Sequence, residues 1–481
     1  MSLSTTIKAI QNEMRADAGV DGDAQRIGQL TWMLFLKILD DREAELELLE
    51  PNFKSPLPEA CRWRNWAADP EGITGDELLA FVNDTLFPTL KELDGGGDDP
   101  RAYVVRSVFE DANNFMKSGH QMRKVINKIN EIDFNRKDDR HQFNEIYEQI
   151  LKGLQSAGNA GEFYTPRGVT RFMTRAVDPK LGEKVLDPAC GTGGFLSCAI
   201  DHIRAHYVSS VEDEQQLQRS IYGIEKKQLP HLLCVTNMIL HGIDVPVNIR
   251  HDNTLARPLR DYGPRDRVDV ILTNPPFGGT EEEGIENNFP TAYRTRETAD
   301  LFMVLVMHLL KPGGRAGIVL PDGFLFGEGV KTRIKEELLR ECNLHTIVRL
   351  PAGAFNPYTP IRTNLLFFTK GEPTKEVWYY EHPLPKGYKS YSKTKPIRVE
   401  EFEPELAWWH DRKENEYGWR VPLAEIEERG YNLDIKNPNA PEDQIGDPDQ
   451  LLAAYRESLA AAADIRARLR DILAEALERG E

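Results

Sequence analysis

The sequence has no cysteine framework, no membrane-length apolar run and no excess of positive charge. Its five cysteines, Cys61, Cys190, Cys198, Cys234 and Cys342, form no C-x-x-C pair. That excludes a disulfide scaffold and the common dithiol and zinc spacings, and it fits a reducing compartment. The longest unbroken apolar stretch, Leu301–Met307, falls short of the ~20 residues that a spanning helix needs. The start, Met1–Gln11, lacks the basic-then-apolar pattern of an export signal, so a cytoplasmic location without membrane contact is expected. Against 77 Asp and Glu there are 60 Lys and Arg, a net charge of −17. Such a surface is repelled by a duplex that carries one negative charge per ~1.7 Å of axis. A freestanding nucleic-acid binder is therefore disfavoured, whereas DNA delivered by another chain is not.

What is present is ordinary globular composition, 40% apolar and 28% charged, over 481 residues, enough for more than one domain. Residues 1–153 read as an all-helical domain. Ile27, Leu30, Leu34 and Ile38 recur at helical steps, with Trp32, Met33, Phe35 and Leu36 filling the gaps, the mark of a helix buried in a bundle. Further helices are expected at Gly75–Leu93, Ala102–Phe115 and Gln142–Leu154, and a small-residue linker at Gly158–Gly161. Residues 154–372 change pattern. Apolar, β-rich runs at Lys184–Leu186, Ile221–Ile224, Val268–Leu272, Ala316–Leu320, Thr346–Leu350 and Leu365–Thr369 alternate with helical stretches. That alternation predicts an α/β fold with a doubly wound, mostly parallel sheet. Residues 373–445 are Pro-rich and aromatic, with one strand expected at Val377–Tyr380. Residues 446–481 form a terminal helix whose Leu452, Tyr455, Leu459, Ala462, Ile465, Leu469, Ile472 and Ala476 make one near-heptad stripe. Such a stripe docks on its own chain or pairs with a partner helix.

The first strand runs into Asp187-Pro-Ala-Cys-Gly191-Thr192-Gly193-Gly194-Phe195. Glycines between a strand and a helix let a ligand approach the backbone. A dinucleotide fingerprint would need a further glycine at Leu196, so the spacing is wrong for one. The acid at the strand end suits a ligand with an ammonium group, although the glycines alone fit a structural turn equally well. The next strand ends in Glu225, where ribose hydroxyls are gripped in doubly wound folds; Asp252 stands before the strand after that. The decisive element is Asn274-Pro275-Pro276-Phe277 at the end of Val268–Leu272. Two prolines remove two backbone donors and leave an acceptor-only edge beside an aromatic ring, which suits the exocyclic amine of a flat heterocycle. There is no Ser–His–Asp set and no Cys/His metal spacing, and the 11 histidines are scattered.

These motifs resemble a family. Asp187–Phe195 looks like the cofactor loop of S-adenosylmethionine-dependent methyltransferases, and Asn274–Phe277 like the (Asn/Asp)-Pro-Pro-(Phe/Tyr) signature of amino-methyltransferases. Gly161-Glu162-Phe163-Tyr164-Thr165-Pro166-Arg167 resembles the extra motif of the N6-adenine DNA methyltransferase subunits of type I restriction–modification systems. Leu310–Ala316, Val319–Gly323 and Thr363–Phe368 continue the likeness over almost the whole chain. It departs at Glu162, where some relatives would carry Gln, and in the acidic Glu281–Glu283 of the loop Gly278–Thr298. The resemblance implies a Rossmann-like methyltransferase fold and S-adenosylmethionine held by Glu162, Phe163, Tyr164, Thr165, Pro166, Arg167, Asp187, Thr192, Gly193, Gly194, Glu225 and Asp252. Asn274, Pro275, Pro276 and Phe277 would hold a flipped-out adenine. It implies double-stranded DNA, a specificity subunit, a second methyltransferase copy and a motor-nuclease restriction subunit as partners. Arg294, Arg296, Lys331, Arg333 and Lys335 are the cationic clusters expected to meet phosphates. Alternatives are an amino-methyltransferase acting on RNA or a protein glutamine, and a non-catalytic assembly clamp.

The stripe generates a test. Deleting Leu451–Glu481 should leave a folded, cofactor-competent chain but weaken assembly, because exposed Leu and Ile cost ~25 cal/mol per Å². Unchanged co-elution with a specificity subunit on a sizing column would show that the stripe packs internally.

Overall fold

The computed structural model describes residues 3–94, 99–132, 134, 165–356, 359, 361–392, 394–439 and 448–479. The apolar runs become strands because each is covered on both faces. β1 (Val185–Asp187), β2 (Ile221–Glu225), β3 (Ile249–His251), β4 (Val268–Thr273), β5 (Leu310–Pro321), β6 (Cys342–Arg349), β7 (Thr363–Lys370), β8 (Glu376–Glu381) and β9 (Gly418–Pro422) form one sheet in the order 3-2-1-4-5-7-6-8-9. β1 to β5 run parallel; β7 is antiparallel to β5 and β6, β8 runs parallel to β6, and β9 is antiparallel to β8. Along β7, Leu365 and Phe367 enter one core while Leu366 and Phe368 enter the other, the period-2 alternation of a pleated strand. β3 and β9 were not foreseen. β3 is three residues at the sheet edge, without an apolar run, and β9, at the opposite edge, begins at Gly418 and ends at Pro422, residue types that weaken a strand signal.

The two faces are filled differently. Helices Arg167–Val177, Gly194–Tyr207 and Gln228–Leu240 cover one, and Thr298–Leu309 and Val330–Glu341 contribute to the other. The N-terminal helices join the first core: Trp32, Met33, Leu34, Phe35 and Leu36 of the helix Asp23–Leu49 are all at most 1% exposed. That helix packs on Gln228–Leu240, where the Gln228 side chain donates to the Val108 carbonyl and Arg42 pairs with Asp244. The N-terminal bundle and the sheet thus share one continuous core within the unit Met1–Asn437.

Some helices differ from expectation. Gly75–Leu93 holds a wide turn, Phe81–Leu86, in which the Phe87 N–H reaches the Val82 carbonyl. Pro88 lacks the donor that would continue the regular ladder. The expected Ala102–Phe115 spans Pro100–Phe109, capped by Asp99 accepting from the Arg101 amide. Asn113 and Asn114 then bond the neighbouring backbone and end the helix. Gln142–Leu154 and Gly158–Gly161 lie outside the described residues. The second unit, 438–481, contains the helix Pro448–Arg479, in which Leu452, Tyr455, Leu459, Ile465 and Leu469 are exposed.

A buried polar network ties down the segment after β8. His382 and Glu405 are 2% and 0% exposed and pair through the His382 Nδ1; the His382 Nε2 lies 3.1 Å from the Tyr391 hydroxyl, which donates to Glu401. Removing one partner of a buried pair strands the other. Glu405→Ala should therefore lower the unfolding free energy by about 3–5 kcal/mol in urea titrations. The exposed Arg175–Glu403 pair is the control: Glu403→Ala should cost under ~1 kcal/mol. Equal effects would refute this ranking.

Candidate active site

The parallel order reverses between β1 and β4, and ligands sit at such a switch point, outside the carboxyl ends of the strands. A cleft of about 270 Å³ opens there, lined by Thr165, Asp187, Thr192, Gly194, Glu225, Asn274 and Pro276, with Lys226 and Gly279–Glu281 at its side. The glycine loop lies between β1 and the helix Gly194–Tyr207. Gly193 takes φ +81°, and a Cβ there would sit 2.9 Å from the Cys234 Sγ and 3.0 Å from the Met238 Cε. Glycine is thus required at 193 by the helix behind the loop rather than by the cleft. At Gly194 the nearest atom to a Cβ is the Thr170 Cγ2, 3.8 Å away.

Two buried carboxylates form one wall. The Asp187 Oδ1 accepts from the Thr273 hydroxyl (2.7 Å) and the Ala189 amide (3.1 Å). Burial, reinforced by the charge of Glu225, nonetheless pushes Asp187 up to about 7 against the pull of those hydrogen bonds. Glu225 accepts from the Gly191 amide (2.9 Å) and the Lys227 amide (2.8 Å), and burial raises its pKa too. Two acids held against desolvation make a wall suited to a cation and to hydroxyl donors. Lys226 joins Glu281 (3.2 Å) and Glu282 (2.9 Å), fastening the loop after Phe277 to the end of β2.

Asn274 lines the same cleft as the carboxylates. Its Nδ2 donates to the Thr165 hydroxyl at 2.9 Å, while its Oδ1 is buried with no hydrogen-bond partner. A buried orphan acceptor is costly and marks a place where a donor from a ligand belongs. Pro275 is buried, Pro276 lines the cleft, and Phe277 packs edge-on against Phe355 at 6.2 Å between ring centres.

The remaining nominated residues sit elsewhere. Asp252 is exposed and does not line the cleft; its backbone amide donates to the Glu225 carbonyl at 3.0 Å. Arg167 donates to the Gly194 carbonyl (3.0 Å) and the Ser197 hydroxyl (2.8 Å), so it steadies the helix after the glycine loop. Pro166 precedes the helix Arg167–Val177, and Glu162, Phe163 and Tyr164 lie outside the described residues. Thr273 and Lys226 were not foreseen; a hydroxyl directly before Asn274, at the end of a strand beside that of Asp187, was the available signal. The expected cationic clusters are engaged within the chain. Lys331 pairs with Glu297 and Asp300, Lys335 donates to the Leu325 and Gly327 carbonyls, and Arg294, Arg296 and Arg333 donate to the carbonyls of Phe289, Glu281 and Ala292. Lys331 and Lys335 are thereby held by the fold, while Arg294, Arg296 and Arg333 remain exposed.

Comparison with known proteins identifies the family. Residues 138–447 match the N-6 DNA Methylase family and residues 3–129 the HsdM N-terminal domain. The chain is 61% identical to the type I restriction enzyme EcoEI methylase subunit of Escherichia coli, over 99% of both chains. It superposes with a TM-score of 0.83 on a modification subunit of a putative type I restriction enzyme from Vibrio vulnificus YJ016, at 46% identity over 93% of this chain and 99% of that one. A chain from a structural study of complex assembly and conformational transition in a type I restriction–modification system gives a TM-score of 0.82 at 39% identity, over 98% of each. The motif at the end of β4, the carboxylate wall and this agreement along the chain's length lead to one conclusion: the chain belongs to the N-6 DNA methylase family, as an adenine-specific DNA methyltransferase subunit of the type I restriction–modification kind.

Proposed function

We propose that the cleft binds S-adenosylmethionine along Asp187, Glu225 and the glycine loop and receives a flipped-out adenine at Asn274–Phe277. The observation that carries this reading is the orphaned Oδ1 of Asn274, a residue that lines one cleft together with a buried carboxylate pair. The residues present fit the cofactor: Asp187 offers a carboxylate to an ammonium, Glu225 accepts from ribose hydroxyls, and Gly194 leaves room beside the backbone. When bound, the cofactor supplies a methyl group already activated on sulfonium. The chain's own work is then positioning and fixed electrostatics. Asn274 Oδ1 accepts a hydrogen bond from the adenine N6 amine and so orients its lone pair, Pro275 and Pro276 keep competing N–H donors off that edge, and Phe277 stacks. Flipping costs a few kcal/mol, of which stacking returns ~1–3 kcal/mol. The duplex would be presented by a specificity subunit, with a second methyltransferase copy and a restriction subunit completing the cytoplasmic assembly.

Two outcomes test this. Asn274→Ala should abolish N6 methylation yet keep cofactor affinity within a few-fold by calorimetry, whereas Asp187→Ala should weaken the cofactor itself; wild-type methylation by Asn274→Ala would place the site elsewhere. The second concerns pH. Asp187 in the free protein titrates near 7, and a cationic ligand favours its ionised form, lowering its pKa on binding. Binding should therefore release a proton between pH 6 and about 7, and affinity should fall as pH drops through that window. Calorimetry in two buffers of different ionisation enthalpy reads the proton directly; affinity independent of pH there would remove Asp187 from the cationic end.

A further inference from the structure

Lys331 and Lys335 are engaged within the chain, and exposed cations beyond Arg294, Arg296 and Arg333 gather in one further stretch of this acidic chain. No Asp or Glu occurs from His382 to Val399, a stretch containing Lys386, Lys389, Lys393, Lys395 and Arg398 interleaved with Tyr388 and Tyr391. Among the described residues, Lys386, Lys389, Lys395 and Arg398 are exposed, and none pairs with a carboxylate; Lys395 lies 4.9 Å over the Tyr388 ring. Arg362, also exposed and without a side-chain partner, lines one recess of about 220 Å³ together with Lys389. Asp322 and Glu381 border the same recess, but Asp322 is occupied by Asn364 at 2.7 Å and lies 3.9 Å from Arg349.

The segment is fixed to the catalytic end of the sheet at three places. His382, at its start, and Tyr391, at its middle, belong to the buried network with Glu401 and Glu405. The Tyr391 carbonyl accepts from Asn356, beside the Phe355 that packs on Phe277. Its far end crosses the helix that follows Thr165 so closely that a Cβ on Gly168 would lie 2.9 Å from the Arg398 carbonyl carbon. The end of β8 is four strand positions from that of β4. At ~4.8 Å per position this is ~19 Å, the axial length of about six nucleotides at ~3.4 Å each.

We infer that the segment 382–398, with Arg362, is a cationic rim that grips the sugar–phosphate backbone of duplex DNA beside the flipped adenine. The inference rests on the methyltransferase reading above, which requires a duplex at this edge. The rim acts despite the chain's net charge because acids beyond the ~8 Å screening length at physiological salt contribute little to the local field. Phosphate contacts position the duplex without reading its sequence, so the rim would supply register and affinity while specificity comes from the partner subunit.

The test uses the chain assembled with its specificity subunit and a labelled duplex carrying the site that complex methylates in cells. In the variant Lys386→Gln/Lys389→Gln/Lys395→Gln, the slope of log K against log salt should become shallower by ~0.9 for each phosphate no longer neutralised. KM for the duplex should rise, with kcat at saturating duplex and cofactor affinity unchanged. An unchanged slope with wild-type KM overturns the rim and leaves the methyltransferase reading standing. A wild-type complex that binds the duplex but methylates nothing overturns that reading instead, while the slope still judges the rim. Dissociation of the specificity subunit from the variant on a sizing column overturns the rim as well, since the surface would then be a protein interface. Should the triple variant fail to fold, Arg362→Gln alone makes the same comparison with a change of ~0.9.

Discussion

Two carboxylates buried beside each other at neighbouring strand ends set the terms for the rest of this structure. Burial disfavours their charged forms, and the fold offsets this with short donors from several directions. A hydroxyl at the end of β4 and an amide of the glycine loop serve Asp187; two amides, from the loop and from beyond β2, serve Glu225. The ends of β1, β2 and β4 and the turn between them are thereby one object. Asn274 follows Thr273 directly, so the residue that stabilises Asp187 also fixes where the Asn274 amide enters the cleft.

That object is braced from behind. Gly193 lies against Cys234 and Met238 of the helix Gln228–Leu240, and the same helix packs on Asp23–Leu49. The N-terminal helices are therefore linked to the glycine loop through one intervening helix. Close-packed interiors transmit such displacements, so substitutions in the bundle that shift Gln228–Leu240 bear on the loop without touching it.

What the sequence showed and what it hid follow from this geometry. Runs such as Val268–Leu272 and Leu365–Thr369 are legible because strands buried on both faces must be apolar. Asn274–Phe277 is legible because two prolines beside an aromatic are chemically conspicuous. β3 and β9 were hidden because edge pairing is decided by the neighbouring strand rather than by the residues themselves. The bond between Thr165 and Asn274 joins positions 109 residues apart, and no local pattern encodes it. Charge misled for a related reason. Lys331 and Lys335 look available in the sequence, but whether a cation is free depends on which acids and carbonyls the fold brings to it. Asp252, expected from the resemblance at the adenine of the cofactor, has an exposed side chain and an amide bonded to the Glu225 carbonyl, a placement that no local pattern encodes.

The Thr165–Asn274 hydrogen bond carries a thermodynamic consequence. It links a residue of the segment before the glycine loop to the first residue after β4, so the two sides of the cleft share one donor–acceptor pair. Any ligand that strengthens, weakens or reorients that pair while occupying one half alters the free energy of filling the other. Such coupling is reciprocal by necessity: the factor by which the first ligand changes the affinity for the second equals the factor by which the second changes the first. One hydrogen bond between distant stretches of chain therefore gives the two halves a shared coupling free energy, while the order in which they fill is left to kinetics.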